Sequence, residues 1–178
     1  MTEPVPAAYR RLLESYCRKG DESSFNTFYQ SQAPRLWRYL RARGSSPEAA
    51  HDLIAEAFLR FLQVICRDPR HPVALLYRIA GNLQIDAWRR LKNSPLQIAE
   101  DPAAEPVAGD DGDEREYLRA LMKTLPEYEQ NLLLLRYWIG LTHKELAEVV
   151  AKPEGTVRRQ CAQALHILKQ RWREHEHG

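Results

Sequence analysis

The chain has 178 residues, room for one ordinary domain or two small ones. Hydrophobic residues make up 44%, a globular rather than a disordered composition, and the formal net charge of +2 singles out no class of partner. No stretch is apolar for long enough to span a bilayer, and the first residues lack the basic-then-apolar layout of a secretory signal, so a cytoplasmic protein without membrane attachment is expected.

Apolar residues recur at helical spacing throughout, and no segment alternates as a strand would. Tyr9, Leu12, Leu13 and Tyr16 outline a first helix that Gly20 stops. Residues 21–24 offer N-caps for a second, with Phe25, Phe28, Tyr29, Leu36, Trp37 and Leu40 on its apolar face. Pro34 is expected to kink or restart that helix, and Gly44 to close it. Ser46, Pro47 and Glu48 read as an N-cap, a first-turn proline and a first-turn acid. The third helix they open buries Leu53, Ile54, Ala57, Phe58, Phe61, Leu62 and Ile65. A loop at 67–72 leads to a fourth helix, with Leu76, Ile79, Ala80, Leu83 and Ala87 inward and the basic cluster Arg89, Arg90 and Lys92 at its end.

Residues 93–113 have no apolar period and contain several prolines and glycines, the composition of a flexible linker. Residues 92–113 carry net −5, whereas residues 152–173 carry net +5. An acidic middle and a basic end point to a nucleic-acid-facing segment on a solvated tether. Beyond the linker, Tyr117, Leu118, Leu121, Met122 and Leu125 mark a helix stopped by Pro126. Another runs from Glu127 to Ile139 and ends at Gly140. Thr142 and Glu145 then form a Thr-x-x-Glu capping box. This helix carries Leu146, Ala147 and Val150, and a tight turn at 151–153 leads into the last one.

Two helices joined by such a turn, the second one basic, make a helix-turn-helix. At 100° per residue the last helix gathers Val157, Cys161, Ala164, Leu165, Leu168 and Trp172 on one side. Arg159, Gln163, His166 and Gln170 lie opposite, with Arg158 and Gln160 on the flanks. Any amphipathic surface helix turns polar residues outward, so this pattern alone is weak. The capping box, the short turn, Gly155-Thr156-Val157 and the clustered charge strengthen it. Arg reads guanine and Gln reads adenine in a major groove, and Thr156 at the helix N-terminus suits a phosphate.

The motifs Leu125-Pro126-Glu127, Leu135-Arg136-Tyr137, Gly140-Leu141-Thr142, Lys144-Glu145-Leu146-Ala147 and Gly155-Thr156-Val157-Arg158 resemble the C-terminal domain of bacterial extracytoplasmic-function (ECF) sigma factors of the sigma-70 family. Ala50-His51-Asp52-Leu53-Ile54 with Glu56-Ala57-Phe58-Leu59 is similar to that family's polymerase-binding segment. Leu76-Tyr77-Arg78-Ile79-Ala80, Asn82, Asp86 and Arg89-Arg90 are similar to its −10-reading segment. Three motifs in the family's order form a far more specific signal than one helix-turn-helix.

The resemblance implies an all-α protein of two small helical domains. Residues 7–92 would bind core RNA polymerase and read and melt the −10 element. Residues 93–113 would be the flexible acidic linker, and 114–174 the helix-turn-helix domain for the −35 element. Asp52, Ala55, Glu56, Leu59 and Arg60 would face the clamp helices of the polymerase's largest subunit, a basic coiled coil that suits an acidic pair. On spacing alone, the Asp52, Glu56, Arg60 row is equally a solvated salt-bridge face.

Arg70, His71, Arg78, Asn82, Arg89 and Arg90 would serve the −10 element, where the family traps a flipped base between the 67–72 loop and the matching Asn. Thr156, Arg158, Arg159, Gln160 and Gln163 would serve the −35 element. The family commonly has Gln at the position of Ala55 and Trp at that of Leu75. It often carries Arg at Gln160, Gln163 and Leu165, so an unusual −35 sequence is expected.

An anti-sigma factor that clamps both domains is the implied regulator. No nucleophile–base pair, HExxH, Gly-rich phosphate loop or Cys/His zinc spacing is present, so neither an enzyme nor a cofactor or metal is expected. His175 and His177 read as solvated tail residues. Cys17 and Cys161 fall on apolar faces and read as small buried hydrophobes, with a redox switch as the alternative reading of the cysteines. The rival is a helix-turn-helix regulator, or a protein-binding adaptor derived from a sigma factor, acting without polymerase. A stand-alone regulator reads paired half-sites as a dimer, and no heptad repeat or spare apolar helix offers the interface, so a monomer is expected when free.

Overall fold

The computed structural model describes residues 5–93 and 112–176, and every regular element among them is helical. The chain divides into two compact units, Met1–Glu105 and Pro106–Gly178. Apart from Asn93 and the first residues of the fifth helix, the expected linker lies outside the described residues, as does His177.

In the first unit α1 (Val5–Lys19) ends where Gly20 turns left-handed at φ +65° and its N–H bonds the Tyr16 carbonyl. Asp21 caps α2 (Glu22–Ala42), accepting from the backbone N–H groups of Ser23 and Ser24 and from both hydroxyls. Those hydroxyls, Ser23 first, hold the Asp21 carboxyl well below the usual carboxylate range. Contrary to expectation, α2 runs through Pro34 without a restart. Pro34 is exposed, so the carbonyl that loses its partner faces water, while Phe28, Leu36, Tyr39 and Leu40, all essentially fully buried, anchor the helix on both sides. Left-handed Gly44, at φ +97°, closes the turn that follows.

Ser46 accepts from the Ala49 N–H and Pro47 occupies the first turn of α3 (Pro47–Val64). A 3-10 turn, Ile65–Arg67, and a short loop lead to α4 (Pro72–Lys92), again opened by a proline. Helices α1, α2 and α3 each pack on α4. Phe28 stacks on Phe61 with centroids 5.4 Å apart, and Phe58 meets both edge-on. Each such ring, fully buried, contributes about 1.5–3 kcal/mol. Gln84, buried in mid-α4, donates from Nε2 to the Leu40 carbonyl (3.1 Å) and to Ser45 Oγ (2.6 Å), which fastens the α2–α3 connection.

The cysteine expectation is corrected in this unit. Cys17 is half-buried and forms a disulfide with exposed Cys66, the Cα atoms 5.3 Å apart. A sequence separation of 49 residues hides this proximity; the end of α1 simply packs on the 3-10 turn.

In the second unit α5 (Gly112–Lys123), α6 (Glu127–Leu133), α7 (His143–Val150) and α8 (Glu154–Glu176) enclose Leu125, Leu132, Leu133, Leu135, Leu146, Val157 and Ala164. Leu118, expected on the apolar face of α5, is largely exposed. The helix expected to reach Ile139 does so, but its final stretch, Leu134–Ile139, widens into π-helix. The N–H groups of both Gly140 and Leu141 reach back to the Leu135 carbonyl, and Arg136 Nη1 donates to the Leu141 carbonyl at 2.9 Å. Gly140 at φ +85° makes that reversal possible.

Candidate nucleic-acid interface

The helix-turn-helix is built from its capping box outward. Thr142 Oγ1 accepts from the Glu145 N–H at 3.2 Å, and the Thr142 N–H donates to Glu145 Oε2 at 2.8 Å. This satisfies two orphan donors at the start of α7. Ala151 adopts the left-handed conformation at φ +52° to end α7, and its neighbour Lys152 bonds back to the Ala147 carbonyl. The Pro153 carbonyl accepts from Thr156 and Val157, starting α8 three residues later.

Val157, Cys161 and Ala164 are buried against the preceding helices, and burial pushes the Cys161 thiol pKa up. Arg158, Arg159 and Gln163 stand exposed, while Thr156 and Gln160 are half-buried. Arg158 pairs with Glu154 at 2.7 Å, a surface contact worth at most about 1 kcal/mol that gives way readily to phosphate. Gln160 is engaged by the protein: the Tyr128 hydroxyl donates to its Oε1 at 2.9 Å. The Lys152 ammonium lies 3.9 Å above the ring of the same tyrosine. Tyr128 thus ties α6 to both the turn and the exposed helix.

In the first unit, Asp52, Ala55, Leu59 and Arg60 are exposed on one face of α3 with Glu56 half-buried among them, opposite buried Ile54, Phe58 and Phe61. Arg60 donates to Glu56 at 2.6 Å, and Leu59 is 60% exposed.

On α4, Arg78 and Asn82 lie one turn apart on its exposed side, with Arg89 and Arg90 in the last turns, and Arg89 stands 3.8 Å from Asp86. At its other end His71 occupies the N-cap position, and Arg70 donates twice to Asp68, at 2.8 and 2.6 Å. The Arg70 guanidinium holds the Asp68 carboxyl down at about 2. From Arg78 to Lys92 the basic residues of the helix extend over about 21 Å, roughly six phosphate steps of one strand.

Residues 28–94 match the family Sigma-70 region 2, and residues 121–170 match Sigma-70, region 4. The ECF RNA polymerase sigma factor RpoE of Cereibacter sphaeroides is 30% identical, over 84% of this chain and 87% of its own. The chain belongs to the ECF sigma factors. ShbA of Streptomyces griseus, another ECF RNA polymerase sigma factor, is 28% identical over 94% of this chain and 95% of its own. This sigma factor also shares its fold with CnrH, solved with the cytosolic domain of CnrY (TM-score 0.66, 18% identity, 94% and 98% of the two chains covered). Bartonella quintana RpoE, solved with the anti-sigma factor NepR, gives the same TM-score at 16% identity, covering 82% and 94% of the two chains.

Two positions expected from the sequence to depart from the family's usual residues differ in setting. Ala55 is exposed on the α3 face, and Leu75 is half-buried at the start of α4. Sequence reasoning missed Tyr128, because no local pattern links it to a glutamine 32 residues away. Among the described residues no cluster of metal-ligating side chains occurs, and no helix is long and apolar enough to cross a membrane.

Proposed function

We propose that this sigma factor binds core RNA polymerase through the α3 face, opens and reads the −10 element with α4 and the loop before it, and reads the −35 element with α8. The observation that carries the reading is that both sigma-70 regions occur in one chain, each with an exposed polar helix face opposite a buried apolar one.

Asp52 and Glu56 present negative charge to the basic clamp helices of the largest subunit, and Ala55 and Leu59 supply apolar contact between them. Arg78, Arg89 and Arg90 hold phosphates while Asn82, with Arg70 and His71 of the loop, meets an unpaired base. Arg159 and Gln163 read base edges in the major groove, Thr156 and Arg158 hold backbone phosphates, and Gln160 reaches its base with the amide that Tyr128 leaves available. Residues 7–92, 93–113 and 114–174 then act as core-binding and −10 domain, linker and −35 domain.

The protein acts in the cytoplasm as a monomer until it joins polymerase. It performs no chemistry of its own, since melting is driven by trapping unpaired bases. An anti-sigma factor is its proposed regulator, as the NepR complex illustrates for a relative in fold.

Transcription in vitro with purified core enzyme tests this directly. Promoter-specific initiation that depends on the added chain is the expected result. DNA binding without initiation would sink the reading and leave a polymerase-independent regulator.

A further inference from the structure

Cys17 lies near the end of α1, and Cys66 sits in the 3-10 turn just before the loop that leads into α4. Their Cα separation of 5.3 Å is inside the roughly 4.4–6.8 Å window a disulfide requires. Cys66 is exposed and Cys17 half-buried, so a thiol in solution reaches the pair from the Cys66 side. The bond joins the segment matched to Sigma-70 region 2 to a helix that precedes that match. Cys161, the remaining cysteine, is free and buried in the other unit.

Loop residues 68–71 carry local hydrogen bonds of their own. The Asp68 N–H bonds the Ile65 carbonyl at 3.2 Å, and Asp68 holds Arg70 through its backbone N–H and its guanidinium. At the far end Pro72 starts α4. The disulfide adds a covalent cross-link to α1 on the near side of the loop.

We propose that Cys17 and Cys66 are a reversible redox modification site exchanging with the cell's small-molecule thiol and disulfide pool, and that the bond holds the loop in its −10-reading arrangement. The proposal rests on assigning this loop to the −10 element. Cysteines in a cytosolic protein are ordinarily kept reduced, and disulfides found there are characteristically transient or redox-sensing.

Formation proceeds by two exchanges. The Cys66 thiolate attacks one sulfur of oxidised glutathione, forming a mixed disulfide and expelling one glutathione thiolate. The Cys17 thiolate then attacks the Cys66 sulfur, forming the Cys17–Cys66 bond and expelling the second. Two electrons pass from the protein to glutathione, and the two thiol protons end on the released glutathione molecules. Reduction runs the same steps backwards. Once the bond opens, ordering the loop on DNA falls to the DNA contacts, which lowers open-complex formation.

The full chain is equilibrated in buffers of reduced and oxidised glutathione, denatured, alkylated and weighed. A change from three alkylated cysteines to one as the buffer becomes oxidising is expected, leaving Cys161 as the modified residue. Three in every buffer, or one in every buffer, overturns reversibility.

Holoenzyme made with each form is then compared on a promoter selected by that holoenzyme, as duplex and with the −10 element already unpaired. Reduction, Cys17→Ser and Cys66→Ser are each expected to leave about tenfold fewer open complexes on the duplex, the factor for one backbone residue left to be ordered. On the unpaired template at saturating holoenzyme, where a weaker grip on the unpaired bases is overcome by concentration, all forms initiate alike, which also shows that the variants fold. Equal opening of the duplex by oxidised and reduced chains overturns the effect on the loop, as does a difference that persists on the unpaired template at saturating holoenzyme. Loss of initiation by both forms on both templates tells instead against the sigma-factor reading, and the alkylation count still decides whether the pair is reversible.

Discussion

The hydroxyl of Tyr128 donates a 2.9 Å hydrogen bond to Oε1 of Gln160, joining α6 to the helix that faces DNA. The bond occupies one lone pair of the amide oxygen and so holds the Gln160 amide in one orientation. Removing the hydroxyl by Tyr128→Phe is expected to cost about 1 kcal/mol of stability in this unit. It should also relax the base preference at the position Gln160 meets, because the amide becomes free to flip. Thermal unfolding and selection of −35 sequences from a randomised pool check the two parts. An unchanged −35 preference would remove Tyr128 from recognition.

Arg159 is exposed on the face of α8 opposite Val157 and Cys161. If it reads a base edge, Arg159→Ala costs about 1–3 kcal/mol on the preferred −35 duplex and far less on a scrambled one. Titration of both duplexes at fixed salt distinguishes this from a phosphate contact, for which the loss would be equal on both.

On α3, Asp52 and Glu56 share an exposed face, and the Glu56–Arg60 bridge is a surface i,i+4 pair. Reversing both acids to Lys therefore costs the fold at most about 1 kcal/mol, while it places like charge against the basic clamp helices. Weakened binding to core polymerase, with an unchanged circular-dichroism spectrum and a melting temperature lowered by a few degrees at most, is expected. Undiminished affinity would show that polymerase docks elsewhere.

Acid should loosen the start of α2. Asp21 has its folded pKa depressed by the Ser23 and Ser24 hydroxyls. Its contribution is therefore present above the unfolded aspartate value, near 4, and is lost as pH falls toward the folded one. The wild-type melting temperature should fall over that window more steeply than that of Asp21→Asn, whose side chain does not titrate. Parallel curves for the two proteins would show that the cap charge is not what acid removes.

Much of this molecule is legible within a few residues of chain. Gly20 and Gly140 stop their helices, Ser46 and Asp21 start theirs, and Thr142 with Glu145 closes a capping box, because each of these interactions reaches at most six residues. Helical periodicity likewise separated the buried face of α8 from its exposed one, and order along the chain was enough for the family motifs. Periodicity also placed the α3 and α4 candidates on exposed faces, although it could not say which partner meets them.

Other features depend on what packing brings together. Pro34 reads as a helix breaker from its own chemistry, yet α2 continues because Phe28 and Leu36 are buried on either side of it. Gln84 reads as one more polar side chain on α4, but burial against Leu40 and Ser45 makes it a fastener. Tyr128 and Gln160 meet across 32 residues, and Cys17 and Cys66 across 49. Local propensity carries no information over such distances, since those pairings are fixed by how the apolar faces of separate helices dock. What the chain is was written in short-range pattern; how its DNA-reading parts are held in place was settled by long-range packing.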